Sequence, residues 1–303
     1  MMGLNSFQAK VARMLPQIEL RFLEPLHRHT SFRIGGPAEV MAFPTSEGEL
    51  SKILKVSKEL DIQPVILGAG TNVLAPDEGV SGLVICLKDC MNGMEALDGE
   101  RIRVMAGVTM SRAAGFAANL GLTGMEFAHG IPGTIGGGVY MNAGAYGGEL
   151  SQICRSVTVM NRDGELHTRA GEEMGFSYRH SILEENGAIV VSVVIQLTQD
   201  TPEHVRGRMK ELLRRRSASQ PLDLPSAGSA FKRPAGGYAA ALIDQAGLKG
   251  FRVGGAAISS KHAGFAVNLG GATAEDVKSL LKQVSDRVYD ASGIRLEPEI
   301  RIW

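Results

Sequence analysis

Two glycine-rich stretches hold the residues of this chain best suited to chemistry. The first, Gly68-Ala69-Gly70-Thr71-Asn72, begins like a dinucleotide fingerprint, but Val73 stands where the third glycine is required, so the G-x-G-x-x-G pattern fails. The second, Gly130-Ile131-Pro132-Gly133-Thr134-Ile135-Gly136-Gly137-Gly138, is stiffened by Pro132, and neither stretch is followed by the lysine of a P-loop. What remains is main chain bared by glycine, whose N–H groups converge on an anion while Thr71 and Asn72 add donors or stabilise the turn. One such stretch alone reads equally well as a tight turn. Two together suit a dinucleotide pyrophosphate stretched between them.

The elements that must position these loops are legible from periodicity. Ala38 to Pro44 reads as a strand, and Ser46 with Glu49 forms a capping box for a helix that aligns Leu50, Ile53, Leu54 and Leu60. A short strand, Pro64 to Leu67, then delivers the chain into the first glycine loop, at the carboxyl end of a strand where α/β sheets place ligands. Strands are expected at Leu83 to Leu87 and Ile102 to Ala106, and a helix from Ser111 to Leu120 stopped by Gly121. Asp163-Gly164 marks a hairpin between Val157–Asn161 and Leu166–Arg169, and Ile189 to Leu197 is a β-branched strand. A helix opens at Pro202, carrying Val205, Met209, Leu212 and Leu213. Ser217 to Gly237 reads as loop, and Tyr238 to Ala246 as a short helix. A helix capped by Thr273 and Asp276 aligns Val277, Leu280, Leu281, Val284 and Val288 before Gly293, and strand is expected at Ile294–Leu296 and Ile300–Ile302. These patterns divide the chain into an N-terminal helical segment, a sheet-rich body and a C-terminal α+β part beginning near residue 200.

Bulk composition narrows the function classes. The 303 residues carry 32 Lys plus Arg against 32 Asp plus Glu, scattered rather than clustered, so no electrostatic footprint for nucleic acid or a membrane surface is present. A small-molecule partner is expected, with no metal and no required protein partner. No apolar block resembles a signal peptide or membrane span, which predicts a cytoplasmic protein. Cys86, Cys90 and Cys154 lack metal-ligand spacing and are expected as free thiols.

The ordered motifs Thr30-Ser31-Phe32-Arg33-Ile34-Gly35-Gly36-Pro37, Leu67 to Leu74, Gly130 to Gly137, Met141-Asn142-Ala143-Gly144-Ala145-Tyr146-Gly147, Ala227-Gly228-Ser229-Ala230-Phe231-Lys232, Leu242 to Gly250, Ser260-Lys261-His262-Ala263 and Leu296-Glu297-Pro298-Glu299 resemble the UDP-N-acetylenolpyruvoylglucosamine reductase family. The likeness is to its compact branch and runs from about residue 28 to the end. It implies an α+β chain: an FAD-binding domain of the vanillyl-alcohol-oxidase (PCMH) type made of two subdomains, over 28–200, and a C-terminal substrate-binding domain over 201–303. The implied reaction is NADPH-dependent, FAD-mediated reduction of an enolpyruvyl ether to a lactyl ether, giving UDP-N-acetylmuramate for peptidoglycan.

Carried over residue by residue, the resemblance assigns FAD contacts to Arg33, Gly35, Gly68, Ala69, Gly70, Thr71, Asn72, Val73, Gly130, Ile131, Pro132, Gly133, Thr134, Gly136, Gly137, Asn142, Ala143 and Gly144. Ser229 becomes the proton donor, Arg179 the clamp on the substrate carboxylate, and Glu299 a carboxylate near the reacting carbons. Read alone, Ser229 is a turn serine and Arg179 a surface ion-pair partner. Periodicity does not separate Glu297 from Glu299, which share a face if the segment is a strand. Tyr178, Arg216, Gln220, Lys232, Arg233, Lys261 and His262 are the implied substrate contacts. Arg233 stands where many relatives carry asparagine, and Gly264 replaces the asparagine often found after Lys-His-Ala. An oxygen-using FAD oxidase on the same scaffold and a non-catalytic nucleotide-sugar binder are the rival readings.

Overall fold

The computed structural model describes residues 4–303. The chain packs as two units. One takes the chain up to Phe22, Glu39–Ala69 and Gly82–Arg215, and the other Leu23–Ala38, Gly70–Ser81 and Arg216–Trp303.

The first unit is built on a five-stranded antiparallel sheet in the order Leu166–Ala170, Cys154–Met160, Ile189–Gln196, Arg101–Met105, Met94–Ala96. The expected hairpin closes it at Met160 opposite Leu166, with the Asn161 side chain accepting from the Asp163 and Glu165 N–H groups at 2.9 Å each. The helices Glu47–Glu59 and Met110–Asn119 start on Ser46 and Thr109, whose hydroxyls accept from the third residue of each helix. Ile53, Val104, Ala113, Ile135, Val157 and Ile195 share one fully buried core. Most of a four-stranded sheet, ordered Glu19–Pro25, Pro37–Phe43, Val80–Cys86, Val65–Leu67, also falls here, its last two strands parallel.

The second unit has its own core and sheet. Ser226–Ser229, Phe265–Asn268, Ala256–Ile258 and Arg252–Val253 run antiparallel in that order, and the Ala274–Ser292 helix lays Val277, Leu280, Leu281, Val284 and Val288 into a core with Phe32, Ile34 and Leu74. Val73–Leu74 pairs in parallel with Arg301–Ile302. Asn268 is buried and fixes the early segment, its amide donating to the Phe32 carbonyl at 3.0 Å. Asp77 does the same at the helix N-terminus, accepting from the Ala274 N–H at 2.8 Å.

Five expectations need correction. The capping box at Ser46 is only half made, because the Glu49 carboxylate accepts from the Thr45 N–H and hydroxyl rather than from Ser46. The N-terminal segment is helical only over Ser6–Met14, and Glu19–Pro25 is strand. Ser217 to Gly237 contains the strand Ser226–Ser229. Ile294–Leu296 forms no strand, because Gly293 ends the preceding helix in the left-handed region and the next pairing begins only where Phe231 bridges Pro298. The second glycine stretch is partly a six-residue helix, Ile135–Tyr140. Glycine is poor in helices, but here packing demands it: a methyl on Gly136 would stand 2.9 Å from Ala106 Cβ, and one on Gly138 2.9 Å from Leu150 and Met110.

Candidate active site

The two glycine loops meet inside the first unit. A Cβ on Gly68 would come within 2.6 Å of Thr134 Oγ1, so only glycine lets the first loop lie against the start of the Ile135–Tyr140 helix. Thr134 is buried and caps that helix, accepting from the Gly137 N–H at 3.3 Å. The helix N-terminus is not open to a ligand, since the Ile135 and Gly136 N–H groups donate to Val108 and Ala106 at 2.8 and 2.9 Å. The N–H groups of Ala69, Gly130 and Gly133, by contrast, have no acceptor among the described residues. Beside them, His129 Nδ1 is buried without a hydrogen-bond partner among the described residues. Converging main-chain N–H groups on half-buried residues beside a buried unpartnered imidazole nitrogen suit an anionic group such as a dinucleotide pyrophosphate. Gly136 is also required by its packing against Ala106, and the Gly137 N–H is held by the Thr134 cap.

Asn142, expected to touch the cofactor, is 1% exposed and has its side chain committed to protein. It accepts from the Ser151 N–H at 2.9 Å and donates to the Ser177 carbonyl at 3.1 Å. Ala143 and Gly144 follow it into a small hairpin in which Gly144 pairs with Glu149. Ser177 opens the tight turn that carries Tyr178 and Arg179, closed by reciprocal Ser177–His180 bonds of 3.2 Å. Arg179 takes a left-handed backbone, φ 56°, and its guanidinium lies 5.0 Å from the Tyr178 ring centre. A β-turn pinned by a buried amide gives a long cation a fixed base.

In the second unit, Ser229 ends the Ser226–Ser229 strand opposite Phe265. The next residue, Ala230, donates its N–H to Gly264 at 2.8 Å and accepts the Glu299 N–H at 2.9 Å. Ser229 and Glu299 are thus set on neighbouring main chain. The first loop continues here: Asn72 donates through its amide to the Glu299 carbonyl at 3.2 Å and accepts the Arg301 N–H at 2.9 Å. Gly70 has φ 60°, and a Cβ there would overlap the His29 carbonyl. Its own carbonyl accepts from Ser31, whose hydroxyl also donates to Ser226 at 2.6 Å. Arg33 turns at φ 57° and Gly35 at φ 129°, the latter packed against Ala75.

Glu297 and Glu299 separate clearly. The Glu297 side chain is 69% exposed and pairs with Lys232, whereas Glu299 is half-buried. An exposed pair of this kind is weak. Lys261 donates to the Ser217 carbonyl at 2.7 Å, at the end of the Pro202–Ser219 helix that also holds Arg216. His262 is held in the Nε2–H form, its Nδ1 accepting the Gly264 N–H at 3.1 Å. Burial pushes its pKa down, so it is neutral near pH 7. Arg233 stacks at 4.4 Å over Tyr238. Gln220 Oε1 is buried with no hydrogen-bond partner among the described residues.

Glu126, Arg208 and Asn268 belong to none of the motifs above. The only signal was a lone acid in the apolar run Met125-Glu126-Phe127-Ala128.

Residues 38–169 match the model of an FAD binding domain, and residues 220–303 that of the UDP-N-acetylenolpyruvoylglucosamine reductase C-terminal domain. The UDP-N-acetylenolpyruvoylglucosamine reductase of Streptococcus pneumoniae (strain Hungary19A-6) is 42% identical over 297 residues, 98% of each chain. The structure of UDP-N-acetylenolpyruvylglucosamine reductase (MurB) from Thermus caldophilus is similar at TM-score 0.81 and 38% identity, over 95% of this chain and 99% of that one. A Physcomitrella patens BBE-like 1 structure shares the fold alone, at TM-score 0.50 and 14% identity, over 64% of this chain and 45% of that one.

Proposed function

The chain belongs to the UDP-N-acetylenolpyruvoylglucosamine reductase family, and on that premise we propose that Ser229, Arg179 and Glu299 carry its reaction. The reaction is the NADPH-dependent, FAD-mediated reduction of UDP-N-acetylenolpyruvoylglucosamine to UDP-N-acetylmuramate. When bound, FAD supplies the hydride that reaches the enolpyruvyl methylene carbon. The chain's own residues bind, orient and protonate. Arg179 holds the substrate carboxylate with its planar fork and balances the charge that builds on the adjoining carbon. Ser229 Oγ gives that carbon its proton; protonating a carbanion is strongly downhill, so a weakly acidic hydroxyl suffices. Glu299, whose main-chain N–H donates to the Ala230 carbonyl, stabilises the enol form or returns a proton to the serine.

The N–H groups of Ala69, Gly130 and Gly133 would hold the FAD pyrophosphate, with Arg33, Gly35, Gly68, the Gly70–Val73 segment, Ile131, Pro132, Thr134, Gly136, Gly137 and the Asn142–Gly144 segment completing the cofactor set. We assign residues 28–200 to FAD and 201–303 to the nucleotide sugar, whose contacts are Tyr178, Arg216, Gln220, Lys232, Arg233, Lys261 and His262. Among the described residues no helix is long and apolar enough to cross a membrane, and we place the enzyme in the cytoplasm with its substrates.

One observation carries this reading: Glu299 binds Ala230, the neighbour of Ser229, and accepts from Asn72 of the first glycine loop. The test is anaerobic stopped-flow mixing of the NADPH-reduced enzyme with UDP-N-acetylenolpyruvoylglucosamine. Rapid return of the oxidised flavin spectrum is expected, and a reduced flavin that persists until oxygen is admitted would favour an oxidase instead.

A further inference from the structure

We propose that Glu126 and Arg208 form a positioning pair that sets the second glycine loop for FAD. The inference rests on the assignment of Gly130–Gly133 to the cofactor and deepens it.

Glu126 opens a one-turn helix, Glu126–Ala128, and its side chain is only 9% exposed. One carboxylate oxygen accepts from Thr123 Oγ1 at 2.7 Å and Arg208 Nε at 2.8 Å, and the other from the Gly124 N–H at 2.7 Å. Arg208 is itself shared, donating to Thr123 Oγ1 at 2.9 Å and Asp200 at 2.6 Å. Burial alone would raise the Glu126 pKa, but the donors from Thr123, Gly124 and Arg208 outweigh it and the net shift is downward. The group is therefore an ionised carboxylate held in a nearly closed site.

A buried charge is a costly way to fix a turn, and it stays only where its geometry is fully satisfied. What this turn leads into gives it a purpose. His129 donates to the Glu126 carbonyl at 3.2 Å and Ile131 to the Ala128 carbonyl at 3.0 Å, so the hydrogen-bonded turn runs directly into Gly130–Gly133. Phe127, between them, packs against the hairpin that follows Asn142–Gly144: a Cβ on Gly148 would stand 2.5 Å from its ring. Rotation of the Glu126 turn thus moves the Gly130 and Gly133 N–H groups and the Gly144–Glu149 hairpin together. Arg208 acts on both through one carboxylate.

The test measures FAD release from the full-length holoenzyme after dilution, by the rise in flavin fluorescence, beside thermal melting of each variant. Glu126→Gln and Arg208→Met should each speed release about ten- to a hundredfold, the range of a lost charged hydrogen bond. The double variant should be no faster than Glu126→Gln. Glu95→Gln, which breaks the exposed Arg103–Glu95 pair of 2.9 Å, should leave release unchanged and controls for loss of any ion pair. Should Glu126→Gln fail to fold, Thr123→Val and Arg208→Met carry the measurement. Folded variants with wild-type release overturn the proposal if Gly133→Ala still frees FAD. If Gly133→Ala has no effect either, the loop assignment falls with it.

Discussion

Replacing Ser229 by alanine separates protonation from everything else the site does. The bonds that shape this corner are main-chain bonds, Ala230 N–H to Gly264 at 2.8 Å and Glu299 N–H to Ala230 at 2.9 Å, and neither needs the serine hydroxyl. Loss of a half-buried hydroxyl that serves no cap costs folding about 1 kcal/mol or less. Against a native stability of about 5–15 kcal/mol, that leaves essentially every molecule folded. Loss of the proton donor is a different order of effect, about 10²–10⁴-fold in rate, or roughly 3–5 kcal/mol of barrier. The two half-reactions are read separately by stopped flow: bleaching of the flavin band on mixing with NADPH, then its anaerobic recovery on mixing with UDP-N-acetylenolpyruvoylglucosamine. Bleaching should match the wild type while recovery slows by the stated factor. Equal slowing of both, or recovery within a few-fold of wild type, refutes Ser229 as donor; the second result would turn attention to Glu299.

Three further outcomes test other parts of the structure. Arg179→Lys should lower the rate of substrate reduction about ten- to a hundredfold, because an ammonium does not reproduce a bidentate fork; near-normal steady-state turnover would exclude a carboxylate clamp. Gly254→Ala should destabilise the protein by about 1–3 kcal/mol in urea denaturation, since Gly254 has φ 54° and a Cβ would overlap the Asp276 carboxylate that accepts from Gly255 and Thr273. Asp200, bonded first of all to Arg208, has its pKa lowered to about 2, so its contribution is complete above the ordinary carboxylate range and disappears as pH falls towards 2; Arg208→Met should melt below wild type at pH 7, and the gap should narrow in acid.

Where one face of an element carries its own pattern, the residues were enough to define it. Val277, Leu280, Leu281, Val284 and Val288, with Thr273 and Asp276 ahead and Gly293 behind, specify the Ala274–Ser292 helix without help from the rest of the chain. Ala256–Ile258 and Phe265–Asn268 escaped notice because they are short and buried on both faces, which erases alternation. The Ile135–Tyr140 helix contradicts its own propensity and exists through close packing against Ala106, Met110 and Leu150. For the proposed site, the ordered motifs singled out Ser229 and Glu299, but the choice between Glu297 and Glu299 acquires a physical basis only when Lys232 is seen to pair with the former. The Glu126–Arg208 pair was out of reach altogether, since its partners lie 82 residues apart.

The parallel pairing of Val73–Leu74 with Arg301–Ile302 has a consequence for biosynthesis. A chain emerging at about 5–20 residues per second needs on the order of ten seconds or more to deliver Arg301 after Leu74 has appeared. Over that interval Phe32, Ile34 and Leu74 lack the apolar surface that finally covers them. Nascent chains stalled before the last helix should therefore be the form most prone to aggregation and most dependent on chaperones.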